Sequence, residues 1–135
     1  MDEHFAVVRS YLALSQALET SPAAYANVFH PQIEQIEYPN LLTKTTQRRT
    51  FEAILDNIRA GRELLKSPQF EDIQLVARTD GSVVLETHWH ATIMKDFSPM
   101  RSGGELAAHF CMIFEFEDGL IIRHRTYRCY ELFSE

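Results

Sequence analysis

Residues 105–117, with the sequence ELAAHFCMIFEFE, decide the fold of this chain. Large apolar side chains alternate with mostly smaller or polar ones along this stretch, which is the period-two pattern of a strand buried on one side. The turn Glu117-Asp118-Gly119 suits a three-residue loop with glycine in the left-handed conformation. Residues 120–130, LIIRHRTYRCY, are therefore predicted to return as the second strand of a hairpin.

The loop length sets the register of this hairpin. It predicts four inward-facing pairs: Phe116 with Leu120, Phe114 with Ile122, Met112 with His124, and Phe110 with Thr126. Arg128 and Tyr130 lie farther along the same face. Since buried polar groups require partners, this change from apolar to polar indicates either a hydrogen-bonded rim or the wall of a pocket open to a ligand.

The chain as a whole has 135 residues, a net charge of −6, 45% apolar residues and 24% charged residues. These values predict one globular domain, residues 1–135, without a membrane span. The absence of a basic stripe argues against nucleic acid as a partner, and Lys44, Arg48 and Arg49 are interpreted as a solvated face at a helix start. The first residues lack the pattern of a secretory signal, so the expected compartment is the cytoplasm.

Two cysteines lie on the predicted hairpin strands. The register places Cys111 and Cys129 about four residue pairs apart, on the order of 13 Å. A disulfide requires Cα atoms within about 7 Å, so both are expected to be free thiols.

Three helical patterns and further strands precede the hairpin. The helices are predicted at about residues 2–19, 22–29 and 47–65, and the strands at 33–38, 70–79 and 82–94. Thr45 or Thr46 is the expected cap of the third helix. This order predicts an α+β domain with the helices packed on one face of a curved, mostly antiparallel sheet.

Three segments carry a resemblance to a known family: VVRSYL at 7–12, VFHP at 28–31 and FEFEDGLI at 114–121. With the element order, they make the chain similar to the nuclear transport factor 2-like superfamily with its cystatin-like fold, and within it to the SnoaL-like, polyketide cyclase-like branch. The resemblance implies a cone-shaped domain with an interior apolar pocket, frequently in a dimer joined through the sheets. No cofactor is expected, and fold follows from the resemblance better than function does.

The functional residues of the superfamily carry over only in part. Tyr11 matches the tyrosine that donates to the oxyanion in ketosteroid isomerase. The base of that enzyme precedes a proline, where this chain has Tyr38 before Pro39, and Met112 aligns with its protonated acid. SnoaL-like cyclases usually have His-Trp and then acidic residues on the last strand, whereas residues 124–129 read HRTYRC. The resemblance therefore disfavours both of those mechanisms.

The remaining candidates for proton transfer or polarisation in the pocket are His124, Tyr11 and Tyr38. Either Glu34 or Glu37 is a further source of a carboxylate. The expected ligand-binding residues are Tyr11, Tyr38, Trp89, Phe110, Met112, His124 and Thr126. Two hypotheses stay open: an isomerase, cyclase or hydrolase that uses His124 with a tyrosine on a small apolar organic molecule, and a non-catalytic ligand-binding or dimerisation module.

The opposite sheet face carries a second cluster. His88 and His90 point to the same side of their strand, and His109 and Cys111 on the next strand lie beside them. These residue types bind zinc. However, Arg125 is expected opposite Cys111, and its positive charge would repel a divalent ion at this site. The preferred interpretation is no metal and a surface that packs against a second copy of the chain, with Ile113, Ile121 and Tyr127 as its further members.

Overall fold

A computed structural model describes residues 2–97 and 100–131. Within these residues, two α-helices and six strands follow one another, with a short 3₁₀ helix, Pro22–Tyr25, between the first helix and the first strand. Their bounds are α1 Asp2–Gln16, β1 Phe29–Glu37, β2 Gln47–Arg49, α2 Phe51–Arg62, β3 Leu65–Ala77, β4 Val83–Ile93, β5 Glu105–Glu117 and β6 Leu120–Tyr130. No helix in the described ranges is long and apolar enough to cross a membrane.

All six strands form one curved sheet in the order β2-β1-β6-β5-β4-β3. The β1–β6 pair is parallel and the other four pairs are antiparallel. The hydrophobic core lies inside the curve of this sheet, where α1 contributes Val8, Tyr11 and Leu12 and α2 contributes Ile54 and Leu55. This architecture confirms the predicted α+β fold, although the second of the three predicted helices is only a 3₁₀ turn.

The second α-helix begins later than its sequence pattern suggested. Gln47–Arg49 pairs with β1 as a short strand, and Thr50 caps the helix by accepting a hydrogen bond from the Ala53 amide at 3.3 Å. The predicted caps Thr45 and Thr46 are therefore wrong, because a long-range strand pairing holds the intervening residues out of the helix.

The hairpin has a tighter turn than the predicted three-residue loop. Asp118 and Gly119 both have positive φ, 55° and 77°, and form a two-residue loop between Glu117 and Leu120. A bulge between Glu115 and Phe116 then shifts the strands. The observed pairs are Phe116 with Ile121, Phe114 with His124, Met112 with Thr126, and Phe110 with Arg128.

The register correction is two residues, which preserves the inward face from His124 to Tyr130. Ile121, predicted on the outer surface, is fully buried beside the bulge. Cys111 lies opposite Tyr127 and Cys129 opposite His109, so the cysteines are offset by two residues rather than about four. Both are free thiols, as predicted.

The edge strand β3 is irregular at two points. Its pairing with β4 shifts between Lys66 and Gln69 and again between Glu71 and Gln74. Ser67 and Asp72, one at each shift, have φ of 54° and 53°, in the left-handed region that residues with a Cβ rarely adopt. These bulges bend β3 around the core.

Candidate functional site

A cavity opens between α1, α2 and the inner face of the sheet, with a volume of about 140 Å³. Phe110 and Met112 of β5 and Trp89 of β4 form part of its wall. The side chains that complete the lining are Tyr11, Ser15, Leu18, Gln35, Ile54, Asn57, Ile58, Leu65, Pro68, Phe70, Arg128 and Tyr130, together with the backbone of Gly61.

The apolar wall is built from stacked aromatic rings. Trp89 lies on Phe110 with centroids 5.2 Å apart and planes 18° apart, and Tyr130 meets both rings edge to face. Such contacts fix ring orientation and add about 0.5–1.5 kcal/mol per pair to the burial of apolar area. The wall is therefore preformed and offers flat apolar surfaces to a ligand.

Arg128 places a positive charge at the cavity. Its guanidinium carbon lies 5.2 Å from the centre of the Phe110 ring, and its Nε donates to the Thr126 hydroxyl at 3.3 Å. Burial opposes the charged form, but Tyr130 and Glu37 outweigh burial and raise the pKa of Arg128 above its usual value. The guanidinium therefore stays charged.

Glu37 balances this charge from behind the cavity lining. Its side chain is 3% exposed, with Oε1 2.9 Å from Nη2 of Arg49 and Oε2 3.4 Å from Nη1 of Arg128. The Asn40 amide also donates to Oε2, at 2.8 Å. Burial raises the pKa of Glu37, but Arg128, Asn40 and Arg49 more than offset it, so the net shift is downward and the carboxylate stays ionised.

His124 is the end of a buried hydrogen-bond chain. Arg49 Nη1 donates to Oε1 of Gln35 at 3.0 Å, and this orients the Gln35 Nε2 as the donor to Nδ1 of His124 at 3.1 Å. The proton of the neutral imidazole is then on Nε2, which has no hydrogen-bond partner among the described residues. Burial, reinforced by Arg128 and Arg49, lowers the pKa of His124 to about 3.

The structure separates the residues that the sequence predicted as one pocket. Tyr11, Trp89, Phe110 and Met112 line the cavity. In the described part of the chain, three predicted members lie outside the lining. His124 packs against the rings of Tyr11 and Phe114, Thr126 accepts a hydrogen bond from Arg128, and Tyr38 stacks on Tyr127 at 4.7 Å.

Sequence reasoning named Glu37 as a possible carboxylate but missed its pairing with two arginines. Arg49 was interpreted as part of a solvated face, but its side chain is 13% exposed and joins Glu37. The alternation of β6 did place Arg128 inward. The approach of Glu37 depends on the parallel β1–β6 pairing, which aligns Glu37 with Thr126, and no local pattern indicates that pairing.

On the outer face, His88 lies directly opposite His109 with ring centroids 5.0 Å apart. His90 instead contacts two carboxylates, with Nε2 3.1 Å from Glu71 and Nδ1 3.5 Å from Glu105. Cys111 is half-buried, and burial together with Glu86 raises the pKa of its thiol. Four residues were considered from sequence as a zinc site. His88 and His109 form a close pair, whereas His90 and Cys111 lie outside that pair.

Comparison with known proteins adds a family to this geometry. The family model described as SnoaL-like domain matches residues 8–124. No curated protein sequence matches the chain.

Solved structures share the fold at low sequence identity. IdmH from Streptomyces antibioticus, a candidate polyketide cyclase, is 12% identical with a TM-score of 0.75, covering 93% of this chain and 91% of its own. AclR from Streptomyces galilaeus, a candidate hydroxylase, is 17% identical with a TM-score of 0.74, covering 95% and 79%. A candidate isomerase from Bacillus subtilis is 14% identical with a TM-score of 0.74, covering 96% and 87%. At these identities the likeness establishes the fold alone.

Proposed function

This chain belongs to the SnoaL-like domain family, and we propose that it binds a small, mostly apolar organic molecule whose carbonyl or anionic oxygen is directed at Arg128. The observation that carries the proposal is one guanidinium among the side chains that line a largely apolar cavity. Ligand sites commonly have this form, with apolar walls that supply affinity and few polar groups that fix orientation.

Two tyrosines extend the set of donors. Tyr11 and Tyr130 line the same cavity as Arg128. Burial is the main cause that raises the pKa of each hydroxyl, so both remain protonated near neutral pH. A guanidinium and two hydroxyls are suited to an oxygen that carries full or partial negative charge.

Binding is better supported than proton transfer. Among the described residues that line the cavity, none is Asp, Glu or His. His124 packs against Tyr11 outside the cavity lining, and its pKa of about 3 keeps it neutral at physiological pH. Glu37 is held by two arginines. A ligand-binding role therefore needs no group that the cavity lacks, whereas the enzyme hypothesis requires His124 to reach the ligand.

The size of the cavity favours a compact ligand. Its volume is about 140 Å³. An engineered cavity of roughly 150 Å³ takes up benzene, so a molecule with a single ring matches the enclosed part of the site.

Two fluorinated probes of similar size test this proposal. The ¹⁹F NMR signals of 4-fluorobenzoate and 4-fluorotoluene report binding, and quenching of Trp89, the single tryptophan, reports arrival in the cavity. We expect the benzoate to bind roughly 10–100-fold more tightly, since a charge-assisted hydrogen bond contributes about 1.5–3 kcal/mol. Arg128→Met should remove this preference for the benzoate but leave the affinity for 4-fluorotoluene unchanged.

A second variant separates the cavity from the charge. A Cβ built on Gly61 meets nothing within 4 Å, so Gly61→Phe has room to place a ring in the cavity without disturbing the Glu37 group. It should abolish binding of both probes in a protein with an unchanged circular dichroism spectrum. Equal affinity for both probes in the wild type, or undiminished binding to Gly61→Phe, would contradict the proposal.

Self-association through the outer sheet face is a further part of the proposal. Tyr127 is exposed on that face and Ile113 is half-exposed. Light scattering after gel filtration should give twice the chain mass of 15.6 kDa, and Tyr127→Glu should return the mass to that of one chain.

A further inference from the structure

We propose that His88, His109 and Glu131 bind one zinc ion on the outer face of the sheet. One donor atom from each residue lies within 4.8 Å of the other two. Two imidazole nitrogens with one carboxylate oxygen are a ligand set that zinc uses where the fourth position is left to water.

The strands bring the two imidazoles together. His88 on β4 and His109 on β5 are a directly opposed antiparallel pair, so their side chains leave the same face. Glu131 follows β6 directly, and its amide donates to the Ala107 carbonyl at 2.9 Å. Two adjacent strands and the residue that follows a third therefore bring three ligands together.

Two of the three separations between donor atoms suit a tetrahedral ion. Oε1 of Glu131 is 3.0 Å from Nε2 of His88 and 3.8 Å from Nε2 of His109. Metal–ligand bonds of about 2.0–2.2 Å place tetrahedral ligands roughly 3.4 Å apart, between these two values. The His109 side chain is 71% exposed, so it can move by the small amount that closure requires.

The observed hairpin register removes the electrostatic objection to a metal. Arg125 lies opposite Ile113 instead of Cys111, and Ile113 is four residues along β5 from His109. The Arg125 side chain donates a hydrogen bond to Glu115. The neighbouring charges are instead acidic, since Asp72 and Glu86 line the surface groove that contains both histidines. The local field therefore attracts a divalent cation.

Zinc titration of untagged, chelator-treated full-length protein tests the site. Isothermal titration calorimetry should give one zinc per chain, and His109→Gln or Glu131→Gln should each weaken binding at least about tenfold. Because both side chains are exposed, neither change should alter the circular dichroism spectrum.

Two matched controls localise the ion. His90→Gln changes the histidine two residues after His88 on β4. Its side chain is on the same outer face but contacts Glu71 and Glu105 instead. His30→Gln changes a second group, His30 with Glu117 and Asp118, which has only one imidazole. Both variants should bind zinc as the wild type does. The proposal fails if the wild type takes up no zinc, if His109→Gln binds normally, or if affinity is lost in a control variant.

Discussion

Glu37→Gln tests whether the buried charge group stabilises the fold. The substitution keeps the size of the side chain but removes the negative charge between Arg49 and Arg128, at 2.9 and 3.4 Å. Removal of one partner from a buried ion pair costs about 3–5 kcal/mol, because the remaining charge stays buried without compensation. We expect a loss of this size in the free energy of unfolding at pH 7.

Urea unfolding measures this loss. With a slope of about 1–3 kcal/mol per molar urea, the midpoint should fall by at least about 1 M. The matched control is Glu34→Gln on the same strand, whose carboxylate is 40% exposed and 3.3 Å from the exposed Arg48. A surface pair of this kind contributes at most about 1 kcal/mol. Equal effects of the two substitutions would refute the reasoning.

The difference between wild type and Glu37→Gln should also depend on pH. The pKa of Glu37 is lowered in the folded chain, so its contribution is complete above the unfolded value of about 4.3 and is lost as the pH falls through the folded value. The two unfolding curves should therefore converge in acid. If the two free energies of unfolding still differ by the same amount at the lowest pH where both proteins fold, the cause of the difference is packing and not charge.

Three further predictions concern single positions. Thr50→Ala should lower the free energy of unfolding in urea by about 1 kcal/mol through loss of the helix cap, while Thr46→Ala leaves it unchanged. Gly61→Ala should raise the same quantity by up to about 1 kcal/mol, since the new methyl group meets only open space in a helix; a loss would show that the cavity lining is already closed. The pKa of His124 is lowered to about 3, so the unfolded chain takes up the proton first and stability falls as the pH drops below about 6.5. Between pH 6.5 and 5 this amounts to about 2 kcal/mol, a decrease that His124→Phe should remove from urea titrations at the two pH values.

The sequence was sufficient to predict which side chains of β6 point inward, but not which residues of β5 they lie opposite. Alternation alone places His124 and Arg128 inside, and a shift of two residues preserves that assignment. The identity of the facing residue depends on turn geometry: a two-residue loop followed by a bulge sets His124 against Phe114 instead of Met112. The predicted pocket residues changed with the register, because the register decides which polar side chain of β6 faces the cavity: Arg128 lines it and His124 does not.

The charged group shows a second limit of sequence reasoning. Arg49 lies in a run of polar residues that resembles a solvated helix start, and its partner Glu37 lies on another strand. Neither residue carries a local signal of burial. Only the pairing of β2 with β1, and of β1 with β6, brings two arginines to one carboxylate.

The bulges of β3 have a consequence for the behaviour of the protein at high concentration. β3 and β2 are the two outer strands of the sheet, where unpaired backbone groups can recruit a strand from another molecule. Ser67 and Asp72 bend the first of these strands out of the flat geometry that such recruitment needs, and the second is only three residues long with two arginines. Both edges of the sheet are therefore poor templates for the addition of a strand from another molecule.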